Sequence, residues 1–156
     1  MTRGSTLLLD TNVLLTATDR ARTDHTSCLE LLRESADSGV HFAIIGQIVR
    51  EYLVVATRPV DANGLGLSPA QAIRNIREFR GRAHLLPETR EVAAELIRLV
   101  DEHALQGKRV HDANVVAAAH HHHVSAIVTS NTADYEGLCR IPVLTPADTI
   151  GAIRAL

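Results

Sequence analysis

Four short segments of this chain carry acids at positions a fold could use. They are Leu7-Leu8-Leu9-Asp10-Thr11-Asn12, Arg50-Glu51-Tyr52, His111-Asp112-Ala113-Asn114 and Thr129-Ser130-Asn131-Thr132-Ala133-Asp134-Tyr135. Each acid stands at the end of an apolar strand pattern or near the start of a helix pattern. Open α/β sheets build their ligand sites at such places. Four carboxylates brought together repel one another unless a cation joins them. Oxygen donors of this kind select a hard divalent ion, Mg²⁺ or Mn²⁺. The chemistry this implies is hydrolysis of a phosphodiester, with the cation polarising the phosphate and acidifying a water. Asp134 or Glu51 is the candidate to orient that water. No Ser-His or Cys-His pairing and no glycine-rich phosphate loop stands out.

Each acid also has a plain structural reading. Asp10 suits the cap of the helix that follows it, although Thr11 and Asn12 beside it are placed to orient a carboxylate or a bound water. Glu51 could be the polar edge of an amphipathic helix, but Ile48, Val49, Leu53, Val54 and Val55 leave that helix apolar on most faces. Asp112 suits the first turn of a helix, where the dipole favours an acid. The small residues after it let that helix pack closely on a sheet, with Asn114 as a partner for the acid. Asp134 lies in a loop after a strand, which is a surface turn or a functional address.

The elements that must position these acids alternate. Thr6 to Leu9 reads as a buried strand, followed by a helix over Val13 to Thr18. Cys28, Leu31, Leu32 and Ala36 give helical spacing over Thr23 to Ser38, ending at Gly39. Val40 to Ile45 is a second strand and Gln47 to Thr57 a helix stopped before Pro59. Arg58 to Leu67 is a loop. Ser68-Pro69-Ala70-Gln71 predicts a capping box with proline at the first helical position, opening a helix to about Arg80. Ala83 to Leu86 is a third strand, and Glu88 to Ala104 a helix with Val92, Leu96, Leu99 and Val100 inward. A turn about Gly107 leads to a helix over His111 to His123, a strand over Ala126 to Thr129, a short strand at Val143-Leu144 and a helix over Pro146 to Ala155. The alternation predicts a parallel sheet of about five strands covered by helices on both faces, in a single domain over residues 1–156.

Composition allows this. The chain has 156 residues, 46% hydrophobic and only 3% aromatic, so its core must be aliphatic. A formal charge of −2 does not describe a globally basic nucleic-acid binder, yet a local arginine patch with bound metal can hold phosphate. Cys28 and Cys139 are too few and too far apart for a zinc site or a disulfide framework, and they read as thiols in a reducing cytosol. With no apolar run of signal-peptide or membrane-span length, the expectation is a soluble, cytoplasmic protein.

The ordered set of strand-Asp10-Thr11-Asn12, helical Glu51, His111-Asp112-Ala113-Asn114 before a small-residue helix, and Thr129 to Tyr135 resembles PIN domains. It is similar above all to the VapC-type toxins of bacterial toxin–antitoxin pairs. The likeness covers nearly the whole chain. It implies a metal-dependent endoribonuclease that dimerises and is neutralised by a cognate antitoxin. The acids it implies as catalytic and metal-binding are Asp10, Glu51, Asp112 and Asp134. Thr129 and Asn131 match the family's hydroxyl and Asn-or-Asp positions before the last acid. Asn131 departs from an acid there, leaving Asp134 as the only charge in that loop, and Tyr135 stands where phenylalanine is frequent.

Arg74, Arg77, Arg80 and Arg82 lie on or just after the capping-box helix at a spacing that makes a slanted stripe. They read as a solvated face, a phosphate track for RNA or a surface for an antitoxin's acids. Phosphate contacts position RNA without choosing its sequence. Arg20, Arg22, Lys108 and Arg109 could add to that stripe. His120 to His123 point in different directions on a helix and cannot share one metal. They read as a helix end with incidental nickel or zinc affinity. Two further functions compete with the ribonuclease reading. A non-cleaving RNA- or protein-binding module is disfavoured by the intact acid set. A phosphatase with a covalent aspartate would want an acid where Asn12 stands.

Overall fold

Leu7, Leu8 and Leu9 are all fully buried, although successive strand residues point to opposite faces. Strand β1 (Thr6–Leu9) is therefore covered on both sides, as a central parallel strand must be. The computed structural model describes residues 1–34 and 39–156. In chain order the remaining elements are α1 (Thr11–Thr18), α2 (His25–Glu34), β2 (His41–Ile45), α3 (Gly46–Thr57), α4 (Pro69–Arg80), β3 (Ala83–Leu86), α5 (Arg90–His103), α6 (Arg109–His121), β4 (Ala126–Val128), β5 (Val143–Leu144) and α7 (Pro146–Arg154). Single 3₁₀ turns lie at Val60–Ala62 and Thr132–Tyr135.

The five strands form one sheet in the order β3-β2-β1-β4-β5, with every pair parallel. Chain order runs outward from β1 to β2 and β3, then returns to the other side of β1 with β4 and β5. The direction reverses between β1 and β4, and the crevice beyond their carboxyl ends is the natural ligand site of such a sheet. Asp10 begins there, its backbone N–H donating to the Val128 carbonyl at 2.9 Å. The core is aliphatic as composition requires, with Tyr52, Tyr135 and Phe42 its largest fully buried side chains. Helix α1 packs on α2 and α3, α2 on α7, α3 on α4, and α5 on α6. Arg154 of α7 reaches Glu30 and Glu34 of α2 at 2.5 and 2.6 Å.

Several boundaries differ from the sequence reading for local reasons. Helix α1 starts at Thr11, directly after its cap Asp10. Helix α2 starts at His25, and the expected continuation through Ala36 to Ser38 lies outside the described residues. Helix α6 begins at Arg109, because Gly107 takes a left-handed φ of 57° and completes the turn sooner. It ends at His121 rather than His123, whose own φ is 52°. The histidine tract is thus a hydrogen-bonded helix end, with His120 facing Glu95 at 3.1 Å and His122 facing the Pro87 carbonyl at 2.9 Å. The capping box forms as its residues predict, with Ser68 and Gln71 satisfying each other's backbone N–H. Among the described residues no helix is long and apolar enough to cross a membrane.

Because β1 has no solvent face, truncating one of its leucines leaves a cavity. Leu8→Ala is expected to cost about 2–5 kcal/mol. Urea unfolding should show this as a lower midpoint with an unchanged slope, and a midpoint equal to the unvaried protein's would contradict the double burial.

Candidate active site

Asp10, Glu51, Asp112 and Asp134 all line one open cleft of about 700 Å³ at the switch point. Each arrives on a different support. Asp10 is the cap of α1, held by the Thr11 backbone N–H at 2.6 Å. Its other oxygen accepts from the Asn12 amide at 2.9 Å and the Thr129 hydroxyl at 2.8 Å. Asn12 also reaches across to the loop after β4, donating to Thr129 Oγ1 at 2.8 Å and accepting from the Ser130 N–H at 2.9 Å. The capping role and the site role of Asp10 are therefore not alternatives. One carboxylate performs the cap and still opens on the cleft.

Glu51 lies one turn beyond Gln47 on α3. Its two oxygens accept from the Thr11 hydroxyl at 2.6 Å and the Gln47 amide at 2.8 Å. His111 Nδ1 stands 3.4 Å from it. Thr11, itself buried, thus ties two acids together with its backbone N–H and its hydroxyl. Asp112 sits in the first turn of α6, and Asp134 in the 3₁₀ turn after β4. Asn131 is exposed and contributes its backbone N–H to Thr129 Oγ1 at 3.1 Å.

The electrostatics are those of groups withdrawn from water beside like charges. Burial pushes the Asp10 carboxyl up, against the pull of the Thr129 hydroxyl, the Thr11 N–H and the buried Tyr135 phenol, while the Glu51 charge adds to the rise. Asp112 is pushed up to about 6, first by burial and then by the charges of Asp134 and Asp10, with Lys108 opposing. The Tyr135 phenol is driven upward by burial and by the Asp10 and Asp112 charges, so it stays protonated as a donor. Among the described residues no three acid, imidazole or thiol groups stand close enough together to hold a metal ion as they are placed. An all-oxygen cluster of mutually repelling acids in an open cleft instead fits a hard cation that keeps water and substrate oxygens in its shell.

The rim of the cleft is basic and partly apolar. Arg50, Arg58, Lys108 and His111 line it with Leu15, Val54 and Val55. The arginines of α4 are not among its lining residues. Arg74, Arg77 and Arg80 face solvent, and Arg82 donates to the Leu32 carbonyl at 3.3 Å. A second groove of about 570 Å³ holds Glu95, Arg98, His120 and Arg140, and none of the four acids.

Sequence reasoning passed over three members of this arrangement. Gln47 carried a signal, since it stands four residues before Glu51 on the same helical face. Glu88 and the donor role of Tyr135 carried none, because their partners Asn114 and Asp10 are distant in sequence.

The family pattern of the PIN domain matches residues 7–140, and the chain belongs to that family. No curated protein sequence matches it. Among solved structures, a chain of the DNA-bound VapBC complex of Salmonella typhimurium is similar at 16% identity and a TM-score of 0.68, over 91% of this chain and 98% of that one. A chain of FitAcB from Neisseria gonorrhoeae is similar at 21% identity and a TM-score of 0.64, over 90% and 98%. The sarcin-ricin loop cleaving toxin VapC20 of Mycobacterium tuberculosis is similar at 8% identity and a TM-score of 0.63, over 86% and 98%. At these identities the likeness is one of fold.

The raised Asp112 makes a stability prediction. Folded Asp112 holds its proton up to about pH 6, whereas an ordinary aspartate releases it near 3.8. The folded state therefore binds more protons between those values, and stability falls as pH rises through that window. Asp112→Asn should raise the melting temperature at pH 7.5, and the advantage should close towards pH 4. A gain of the same size at both pH values, read by calorimetry without divalent ions, would show that the cost of the buried Asp112 charge beside other acids is not its source.

Proposed function

We propose that this protein is a metal-dependent endoribonuclease, the toxin of a type II toxin–antitoxin pair acting in the cytoplasm. The observation that carries the reading is the convergence of Asp10, Glu51, Asp112 and Asp134 on one cleft, where burial first and the neighbouring acids second lift Asp112 to about 6. Membership of the PIN family and the fold shared with chains of the VapBC and FitAcB structures support it.

Asp10, Glu51, Asp112 and Asp134 would hold Mg²⁺ or Mn²⁺. Such a cation, when bound, supplies positive charge opposite the phosphate and makes hydroxide available near neutral pH. The protein's own residues do the rest. Thr11 and Gln47 fix the Glu51 oxygens, and Asn12 and Thr129 fix Asp10. Asp134, carried on the 3₁₀ turn after β4, would accept a proton from the attacking water. Arg50, Arg58 and Lys108 on the rim bind the RNA backbone, and their contacts position the strand without reading its bases. Single-stranded or looped RNA is the substrate, since its backbone can be drawn into an open cleft. The solvent-facing arginines of α4, Arg74, Arg77 and Arg80, suit acids of the cognate antitoxin, and the toxin acts as a homodimer.

Purified, antitoxin-free protein should cut a mixed cellular RNA pool into discrete fragments with Mg²⁺ or Mn²⁺ and not with excess EDTA. Asp10→Asn should remove cleavage by at least about 100-fold, the order expected when catalytic charge stabilisation is lost, with the folded circular dichroism spectrum retained. Cleavage that survives both EDTA and the substitution would sink the proposal. Absence of cleavage by folded protein under any metal would favour a binding module on a nuclease fold.

A further inference from the structure

Gln47 is buried, with 5% of its surface exposed, at the seam between α3 and α6. Every hydrogen-bonding atom of its side chain is committed. One amide hydrogen goes to Glu51 Oε1 at 2.8 Å and the other to the His111 carbonyl at 3.0 Å. Its oxygen accepts from the Asn114 amide at 2.7 Å. Asn114 gives its second hydrogen to Glu88 Oε1 at 2.9 Å, and Arg50 reaches Glu88 Oε2 at 3.3 Å. The amide orientations follow from this chain, because reversing Gln47 would set its oxygen against Glu51 and the His111 carbonyl.

A buried amide on an apolar helix costs stability unless it is satisfied, and an aliphatic side chain would fill the space without that demand. Gln47 instead grips two members of the acid cluster's support. It holds the carboxylate of Glu51 on its own helix. It also holds the backbone carbonyl next to Asp112 on the other helix. We infer that Gln47 is a positioning residue, which with Asn114 sets the separation of Glu51 and Asp112 so that both face one cation. The inference rests on the nuclease reading. The geometry around it agrees. Gly46, the residue before Gln47, admits the Glu88 carboxylate so closely that an added Cβ would meet Glu88 Oε2 at 2.5 Å. The far end of the chain is thus anchored at the start of α3, whose cap residue Ile45 provides no side-chain hydrogen bond.

The test is a titration of the full-length protein with Mn²⁺ alone, followed by electron paramagnetic resonance of the free ion. The unvaried chain, Gln47→Met and Asn114→Ala are compared, with RNA cleavage measured alongside. Removing a residue that orients a metal ligand weakens binding by about 10-fold or more. That loss is expected for Gln47→Met, with circular dichroism unchanged and kcat reduced more than KM is raised. Asn114→Ala, which leaves both donated bonds of Gln47 in place, should weaken Mn²⁺ by less. Mn²⁺ affinity undiminished in folded Gln47→Met overturns the inference, leaving Gln47 a packing residue. If Gln47→Met does not fold, undiminished affinity in Asn114→Ala overturns it equally. Failure of the unvaried, folded protein to bind Mn²⁺ and to cut RNA overturns the nuclease reading itself, and this inference with it.

Discussion

Mutual repulsion among Asp10, Glu51, Asp112 and Asp134 is the constraint around which this structure is arranged. A chain that crowds four acids into one cleft must supply the restoring force elsewhere. It does so in two ways. Strands β1 and β4 beneath are buried on both faces, so their ends cannot drift apart without exposing apolar surface. Above the sheet, Asp10 and Glu51 are held by the neutral donors of Thr11, Asn12, Gln47 and Thr129. Neutral donors fix direction without cancelling the negative potential that a cation needs. Lys108, on the rim, opposes the rise in Asp112.

Thr11 and Asn12 show how compactly this is done. Thr11 joins Asp10 to Glu51 across forty positions of sequence, using a backbone and a side-chain donor. Asn12 joins Asp10 to the loop after β4 with both ends of its amide. A helix cap is ordinarily a local device. Here the cap of α1 is also the point where three distant parts of the chain meet, so stability of the helix start and geometry of the site are one property.

Much of this could be read from the residues because the relevant signals are local. Leu7 to Leu9 followed by Asp10 marks a buried strand end, and Ser68 to Gln71 marks a helix start, whatever surrounds them. The parallel sheet and the placing of Asp10 beyond a strand's carboxyl end followed from such cues. What escaped was set by tertiary contact. Gln47 looked like another polar residue on an apolar helix until α6 came to rest on it. Glu88 looked like a helix's first residue, yet α5 starts at Arg90 and the acid turns back to Asn114. The arginine stripe on α4 was legible as a pattern, but the cations on the cleft are Arg50, Arg58 and Lys108, which form no pattern in sequence.

The topology also governs when the site can exist. The cleft draws on residues from Asp10 to Asp134, and β1, already paired with β2, finds its second neighbour only in Ala126 to Val128. During synthesis from the amino terminus, the first acid is therefore made early and waits for nearly the whole remaining chain. Until β4 and the turn after it have left the ribosome, Asp10 lacks Thr129, Asn12 lacks Ser130, and Asp134 does not exist. A nascent chain consequently carries no complete acid cluster beside the machinery that is making it.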